Sequence, residues 1–225
     1  MGTLRKPYCF TDFDGTLTDN RKRLYRFYME HAPKNGPKLL TEEDFWAGKR
    51  AGIHELEPRP GDSAAERIDA SVRAEYDAEK KRVIESDAYL ELDAIFPYAG
   101  EALRRIAEDH TLILLTRRSH ADAFYREWER SGLGGYFDAV HVIPHSYGGK
   151  AEFIRENYSV DPARDVIVGD TEDDLKAGTE LGMISYLTLS GIRDTWIIEK
   201  YFEKEKDRIR VIGDIRELEH WEAAK

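Results

Sequence analysis

The chain has 225 residues, 34 basic against 44 acidic, a formal net charge of −10 and a single cysteine, Cys9. This length suffices for one α/β domain with a smaller accessory domain; one cysteine excludes an internal disulfide, and the acidic balance argues against a nucleic acid duplex as partner. No apolar run approaches the ~20 residues that cross a bilayer, and Met1-Gly2-Thr3-Leu4-Arg5-Lys6 has no apolar signal core, so a cytoplasmic protein with no membrane attachment is expected, monomer or homodimer.

The first apolar run, Tyr8–Thr11, predicts a strand. It leads into Thr11-Asp12-Phe13-Asp14-Gly15-Thr16-Leu17-Thr18-Asp19, two carboxylates two residues apart and then a glycine turn. Residues 20–92 have few strand-like runs and read as helical. Leu24–His31 predicts one helix. Thr41-Glu42-Glu43-Asp44 opens a second, with Thr41 as N-cap and acids in the first turn. Asp62 to about Leu90 predicts one long helix or a broken pair, and Pro33, Gly36, Pro37, Pro58, Pro60 and Gly61 separate the pieces.

From about residue 93 the pattern changes. Apolar runs at Thr111–Leu115, Ala139–Ile143, Asp165–Val168, Met183–Leu189 and Ile209–Ile212 alternate with helical patterns at Gly100–Asp109, Ala121–Arg130, Lys150–Asn157, Glu172–Leu181 and Asp194–Phe202. That alternation predicts an α/β fold, a mostly parallel doubly wound sheet with helices on both faces. Residues 1–19 and 93–225 form the expected core, and 20–92 an inserted helical domain.

Ligands of open α/β sheets bind beyond the carboxyl ends of the strands, and polar residues gather at those ends. Asp12 and Asp14 close the first strand and Thr116 closes Leu112–Leu115. Lys150 opens a helix after Gly148-Gly149, and Asp170 closes Val166–Gly169, with Asp173 and Asp174 in the next turn. The residue types suit phosphoryl transfer. Asp12 is the candidate nucleophile. Asp14 is the candidate proton donor and later base. The Thr116 hydroxyl and Lys150 ammonium suit a phosphoryl group, and Asp170 suits Mg²⁺, a hard cation that takes oxygen ligands. Asp174 binds through water or orients that shell. Arg117 either reaches a substrate phosphate or carboxylate or pairs with an acid. Asp173 reads as a helix N-terminal charge rather than a ligand. Arg21-Lys22-Arg23 reads as a solvated face or a steering patch. Cys9 is read as a packed thiol, and Trp46, Trp128, Trp196 and Trp221 as packing residues. His141 and His145 form no ligand pair, because Pro144 breaks the helix that would align them.

Asp12-Phe13-Asp14-Gly15-Thr16, Thr116 after its strand, Lys150, and Gly169-Asp170-Thr171-Glu172-Asp173-Asp174 together resemble, in order and spacing, the four motifs of the haloacid dehalogenase superfamily of phosphohydrolases. The resemblance implies a Rossmann-like core, Mg²⁺ as cofactor, and metal binding by the Asp12 side chain, the Asp14 backbone carbonyl and Asp170. The insertion between the first and second motifs is similar to the C1 helical cap of phosphoglycolate phosphatase-like members, and Phe96-Pro97-Tyr98-Ala99-Gly100 to their return from the cap. The implied activity is hydrolysis of a small phosphorylated metabolite through an aspartyl-phosphate. The alternatives are a phosphomutase of the same superfamily, a dehalogenase, and a phospho-accepting signalling domain.

Overall fold

The structure, a computed structural model, describes residues 5–34, 38–58 and 68–220. In chain order these form β1 (Tyr8–Thr11), β2 (Thr18–Asp19), α1 (Arg21–His31), α2 (Glu42–Arg50), α3 (Ala70–Val83), α4 (Asp87–Leu90), β3 (Ala94–Ile95), α5 (Ala99–Asp109), β4 (Thr111–Arg117), α6 (Ala121–Ser131), β5 (Ala139–Ile143), α7 (Lys150–Asn157), β6 (Val166–Gly169), α8 (Glu172–Leu181), β7 (Ile184–Thr188), α9 (Trp196–Tyr201) and β8 (Ile209–Ile212). The chain divides into two compact units, Met1–Asp19 with Ile95–Lys225, and Asn20–Ala94.

Six strands of the first unit form one sheet in the order β5-β4-β1-β6-β7-β8, parallel throughout. Its strands carry continuous apolar runs because helices cover both faces. Alternate residues serve opposite faces. Cys9, Leu112, Leu114, Val166 and Val168 share a core with Ala102, Leu103, Phe124 and Trp128 of α5 and α6. Phe10, Ile113, Leu115 and Ile167 share another with Ala151, Ile154 and Ala177 of α7 and α8. Burial pushes the Cys9 thiol up to about 12, so it is an inert packing group.

Several boundaries differ from the expected ones by one to three residues, α1 starting at Arg21 rather than Leu24 and α9 at Trp196 rather than Asp194, and two of the strand differences have evident local reasons. β4 runs past its apolar stretch because Thr116 and Arg117 still pair with Val142 and Ile143. β6 starts at Val166, one residue late. Asp165 is instead occupied as an acceptor for Arg5, for the Tyr8 N–H and for the Asp161 N–H.

The unit Asn20–Ala94 has its own core of Phe27, Tyr28, Phe45, Leu56, Tyr76 and Tyr89. Thr41 caps α2 by accepting the Asp44 N–H. α3 and α4 are the broken pair, with Ser86 as the N-cap residue of the second helix. The predicted stretch 62–67, the breakers Gly36, Pro37, Pro60 and Gly61, and Trp221 lie outside the described residues. The Arg21-Lys22-Arg23 run is not uniformly solvated. Arg23 is buried, with its Nε 3.2 Å from Asp93 Oδ1. Among the described residues no helix is long and apolar enough to cross a membrane.

Glu55 is a buried acid inside this unit. It accepts Lys49 at 2.7 Å, Lys80 at 2.5 Å and the Tyr76 hydroxyl at 3.2 Å. Burial alone would raise its pKa, but Lys80 and Lys49 outweigh burial and hold the carboxyl well below the usual range. Burial and the Lys80 charge bring Lys49 down to about 8. Glu55→Gln is expected to destabilise the protein by about 1–3 kcal/mol, because it leaves two partly exposed ammonium groups without their anion. A depressed folded-state pKa stabilises above the ordinary glutamate value, and that contribution falls progressively as pH drops from the unfolded value toward the depressed folded one. The deficit of the variant, read by denaturant unfolding, should therefore shrink as pH is lowered from about 6 to about 3, through the unfolded value of ~4.3. A deficit that does not change with pH would contradict this.

Candidate active site

The order of strands reverses at β1: β4 and β5 lie to one side of it, β6, β7 and β8 to the other. That reversal makes the carboxyl end of β1 the switch point, where α/β sheets open a crevice. Asp12 continues the ladder one residue beyond β1, its N–H donating to the Val168 carbonyl at 2.9 Å. The chain then turns sharply. Thr16, Leu17 and Thr18 N–H groups all converge on the Phe13 carbonyl, and the Gly15 N–H donates to the Thr18 carbonyl. Gly15 makes this possible with φ +71°; a Cβ there would fall 2.3 Å from Asp170 Oδ2.

Asp170 is seated by backbone on both sides. A Cβ at Gly191 would lie 2.0 Å from its Oδ2, so only glycine admits the carboxylate. The Ile192 N–H donates to that same oxygen at 2.7 Å. The Ser190 hydroxyl donates to the Gly15 carbonyl at 2.7 Å and ties this loop to the first turn.

Lys150 is the first residue of α7, after Gly149 at φ +112°. Its buried ammonium donates to Asp12 Oδ1 at 2.6 Å and to Asp174 Oδ1 at 2.5 Å. Asp174 Oδ2 in turn accepts the Thr171 N–H and hydroxyl at 3.1 and 2.7 Å. Both Asp174 oxygens are thereby engaged, which suits an orienting acid.

Asp12, Asp170 and Asp174 are all buried, and one oxygen from each lies within 4.8 Å of the others. Burial, then the Asp174 charge, pushes Asp12 up to about 7 against the opposing pull of Lys150. Burial, then Asp12 and Asp174, raises Asp170 well above the carboxylate range. Burial would lower Lys150, but Asp12 and Asp174 outweigh it and raise it instead. One ammonium therefore does not offset three buried acids. The remaining imbalance, with oxygen donors only, fits a hard divalent cation, and Asp12 with Asp170 would hold it.

Thr116 is buried at the end of β4. The two residues after it part company. Arg117 donates to the carbonyls of His145 and Tyr147 at 3.0 and 3.3 Å, and its Nη1 is 3.7 Å from Asp173 Oδ2. Arg117 is thus held by two carbonyls beside an acid. Arg118, which sequence reasoning passed over, is the arginine that enters the centre: its Nη2 is 2.8 Å from Asp14 Oδ2. β4 ends at Arg117, so strand alternation does not reach Arg118, and its residue type alone carries no signal that sets it apart from its neighbour. His141 contacts the Tyr158 hydroxyl at 2.6 Å within the packing of β5.

A family model described as haloacid dehalogenase-like hydrolase matches residues 8–182, and a HAD-hydrolase-like model matches residues 149–218. No curated protein matches the chain. Among solved structures, the chain is similar to a haloacid dehalogenase-like family hydrolase from Streptococcus pneumoniae (15% identity, TM-score 0.63, covering 95% of this chain and 96% of that one). It is similar to a candidate phosphoglycolate phosphatase from Lactobacillus delbrueckii subsp. bulgaricus (18%, TM-score 0.64, 95% and 96%). A predicted phosphoglycolate phosphatase from Haemophilus somnus is also similar (15%, TM-score 0.57, 96% and 98%). At these identities the likeness is one of fold.

Proposed function

The chain belongs to the haloacid dehalogenase-like hydrolases, and from that premise we propose that it is a Mg²⁺-dependent phosphatase cleaving a small organic phosphomonoester through an aspartyl-phosphate on Asp12. The observation that carries this reading is the buried quartet at the switch point: Asp12, Asp170 and Asp174 with their oxygens gathered together, the Lys150 ammonium on Asp12 and Asp174, and Asp14 two residues from the first.

Asp12, Asp170 and the Asp14 backbone carbonyl would hold the cation, which would supply the charge that lets a carboxylate approach a phosphate dianion. A carboxylate oxygen of Asp12 attacks phosphorus, and the bond to the ester oxygen breaks as Asp14 gives that oxygen a proton. Lys150 holds Asp12 in place and offsets charge on the phosphoryl group. The Thr116 hydroxyl donates to a phosphate oxygen. Asp14, now ionised, takes a proton from water; the water oxygen attacks phosphorus, and Asp12 leaves as a free carboxylate. The finer resemblance, to phosphoglycolate phosphatase-like members with a C1-type cap, rests on where Asn20–Ala94 interrupts the chain, between Asp14 and Thr116. We assign substrate choice to that unit.

The test is a screen of roughly a hundred phosphorylated metabolites with Mg²⁺, ranked by kcat/KM because that ratio measures discrimination. Phosphate release that EDTA stops and Mg²⁺ restores is expected. A phosphoprotein that persists without hydrolysing any ester, or halide release from haloacids in EDTA, would contradict the reading; transfer to a second sugar position would mark a mutase instead.

A further inference from the structure

A general acid works only if its proton meets the leaving oxygen along a narrow approach. Asp14 sits on a turn with its side chain 23% exposed, and an aspartate has two rotatable bonds to settle. The group that settles them here comes from the residue just beyond β4. The Arg118 side chain is 2% exposed, and its Nη2 is 2.8 Å from Asp14 Oδ2 and 3.0 Å from Glu127 Oε2. Its backbone N–H donates to the Ile143 carbonyl of β5 at 3.3 Å. Its guanidinium lies 5.7 Å from the Phe124 ring, and Glu127 is buried on α6. The arginine is thus fixed by two neighbouring elements before it touches Asp14. Stability is a weak reason to bury such a cluster, since apolar residues of similar volume commonly serve as well.

We propose that Arg118, anchored by Glu127, is a positioning residue that aims the Asp14 carboxyl at the leaving oxygen. This role presupposes the phosphatase reading. It involves no contact with the phosphoryl group, the role that the sequence leaves open to the neighbouring Arg117.

The measurement is kcat/KM for a series of phosphomonoesters running from p-nitrophenyl phosphate to simple alkyl phosphates. An alkyl leaving group needs the proton, whereas p-nitrophenolate departs without it. Arg118→Met should therefore cost on the order of 10²-fold on alkyl esters and only a few-fold on p-nitrophenyl phosphate. Arg118→Lys should recover part of the alkyl loss. Glu127→Gln, which loosens the arginine from its other side, should show the same leaving-group dependence to a smaller degree, and it serves if Arg118→Met does not fold. In an Asp14→Asn background the Arg118 substitution should add little, as expected of residues acting through one another. Equal losses across the series, or an undiminished loss in the Asp14→Asn background, would overturn the proposal. A wild-type protein inactive on every ester would instead defeat the phosphatase reading, and this role with it.

Discussion

Asp12→Asn is expected to lower turnover by at least about 10⁴-fold while leaving the fold intact, because it removes the nucleophile and nothing nearby can replace it. Asp174 is held by Lys150 and Thr171, and Asp170 by the Ile192 N–H. Neither is free to take over the attack. The fold survives because asparagine keeps the shape, and because Asp12 carries its charge at a cost: burial and the Asp174 charge both disfavour ionisation there. Without metal the variant should melt no lower than the wild type, a function–stability trade common at active sites. Residual turnover within tenfold of wild type on a good substrate would contradict the nucleophile assignment. Cooperative unfolding with an unchanged far-UV spectrum would confirm that the loss is chemical.

Lys150→Met should have the second largest effect, and on two quantities at once. Catalysis should fall by roughly 10²–10³-fold, the usual result of deleting one fixed electrostatic partner from an active site. Stability should fall as well. The ammonium is fully enclosed with Asp12 and Asp174, and breaking a buried pair costs about 3–5 kcal/mol by stranding the opposite charge. The loss should be greatest in EDTA and smaller with excess Mg²⁺, since an ion that binds only the native state adds stability by mass action. Thermal unfolding of both proteins with and without Mg²⁺ checks this. Equal stability of variant and wild type in EDTA would mean that the acids do not depend on Lys150.

Much of this site could be read from the chain because it lies at strand ends. Apolar runs located the strands, parallel connections put their carboxyl ends on one edge, and Asp12, Asp14, Thr116, Lys150 and Asp170 followed from position. What escaped notice was of two kinds. Arg117 and Arg118 look alike as residue types; only the fold, which ends β4 between them, separates the one that reaches Asp14 from the one drawn to Asp173 and the carbonyls of His145 and Tyr147. The seat of Asp170 is made by the absence of a side chain at Gly191 and by the Ile192 N–H, which no residue type advertises. The inserted unit was harder still. Lys49, Glu55, Tyr76 and Lys80 meet around one buried carboxylate, but they are scattered along the sequence and fit no helical spacing as a set. Likewise Arg23 and Asp93 pair from the two ends of the insertion, so a local charge run gave no hint of a buried contact.

The central claim is that the phosphoryl group passes through the Asp12 carboxylate. Its most direct test is acid quenching of the wild-type protein during turnover, borohydride reduction of any acyl phosphate, and mass spectrometry of the peptide spanning residues 8–19. Homoserine at position 12, absent without substrate, is the expected result. Steady turnover with aspartate unmodified at position 12, or with the reduced residue at Asp170 or Asp174 instead, would contradict the account.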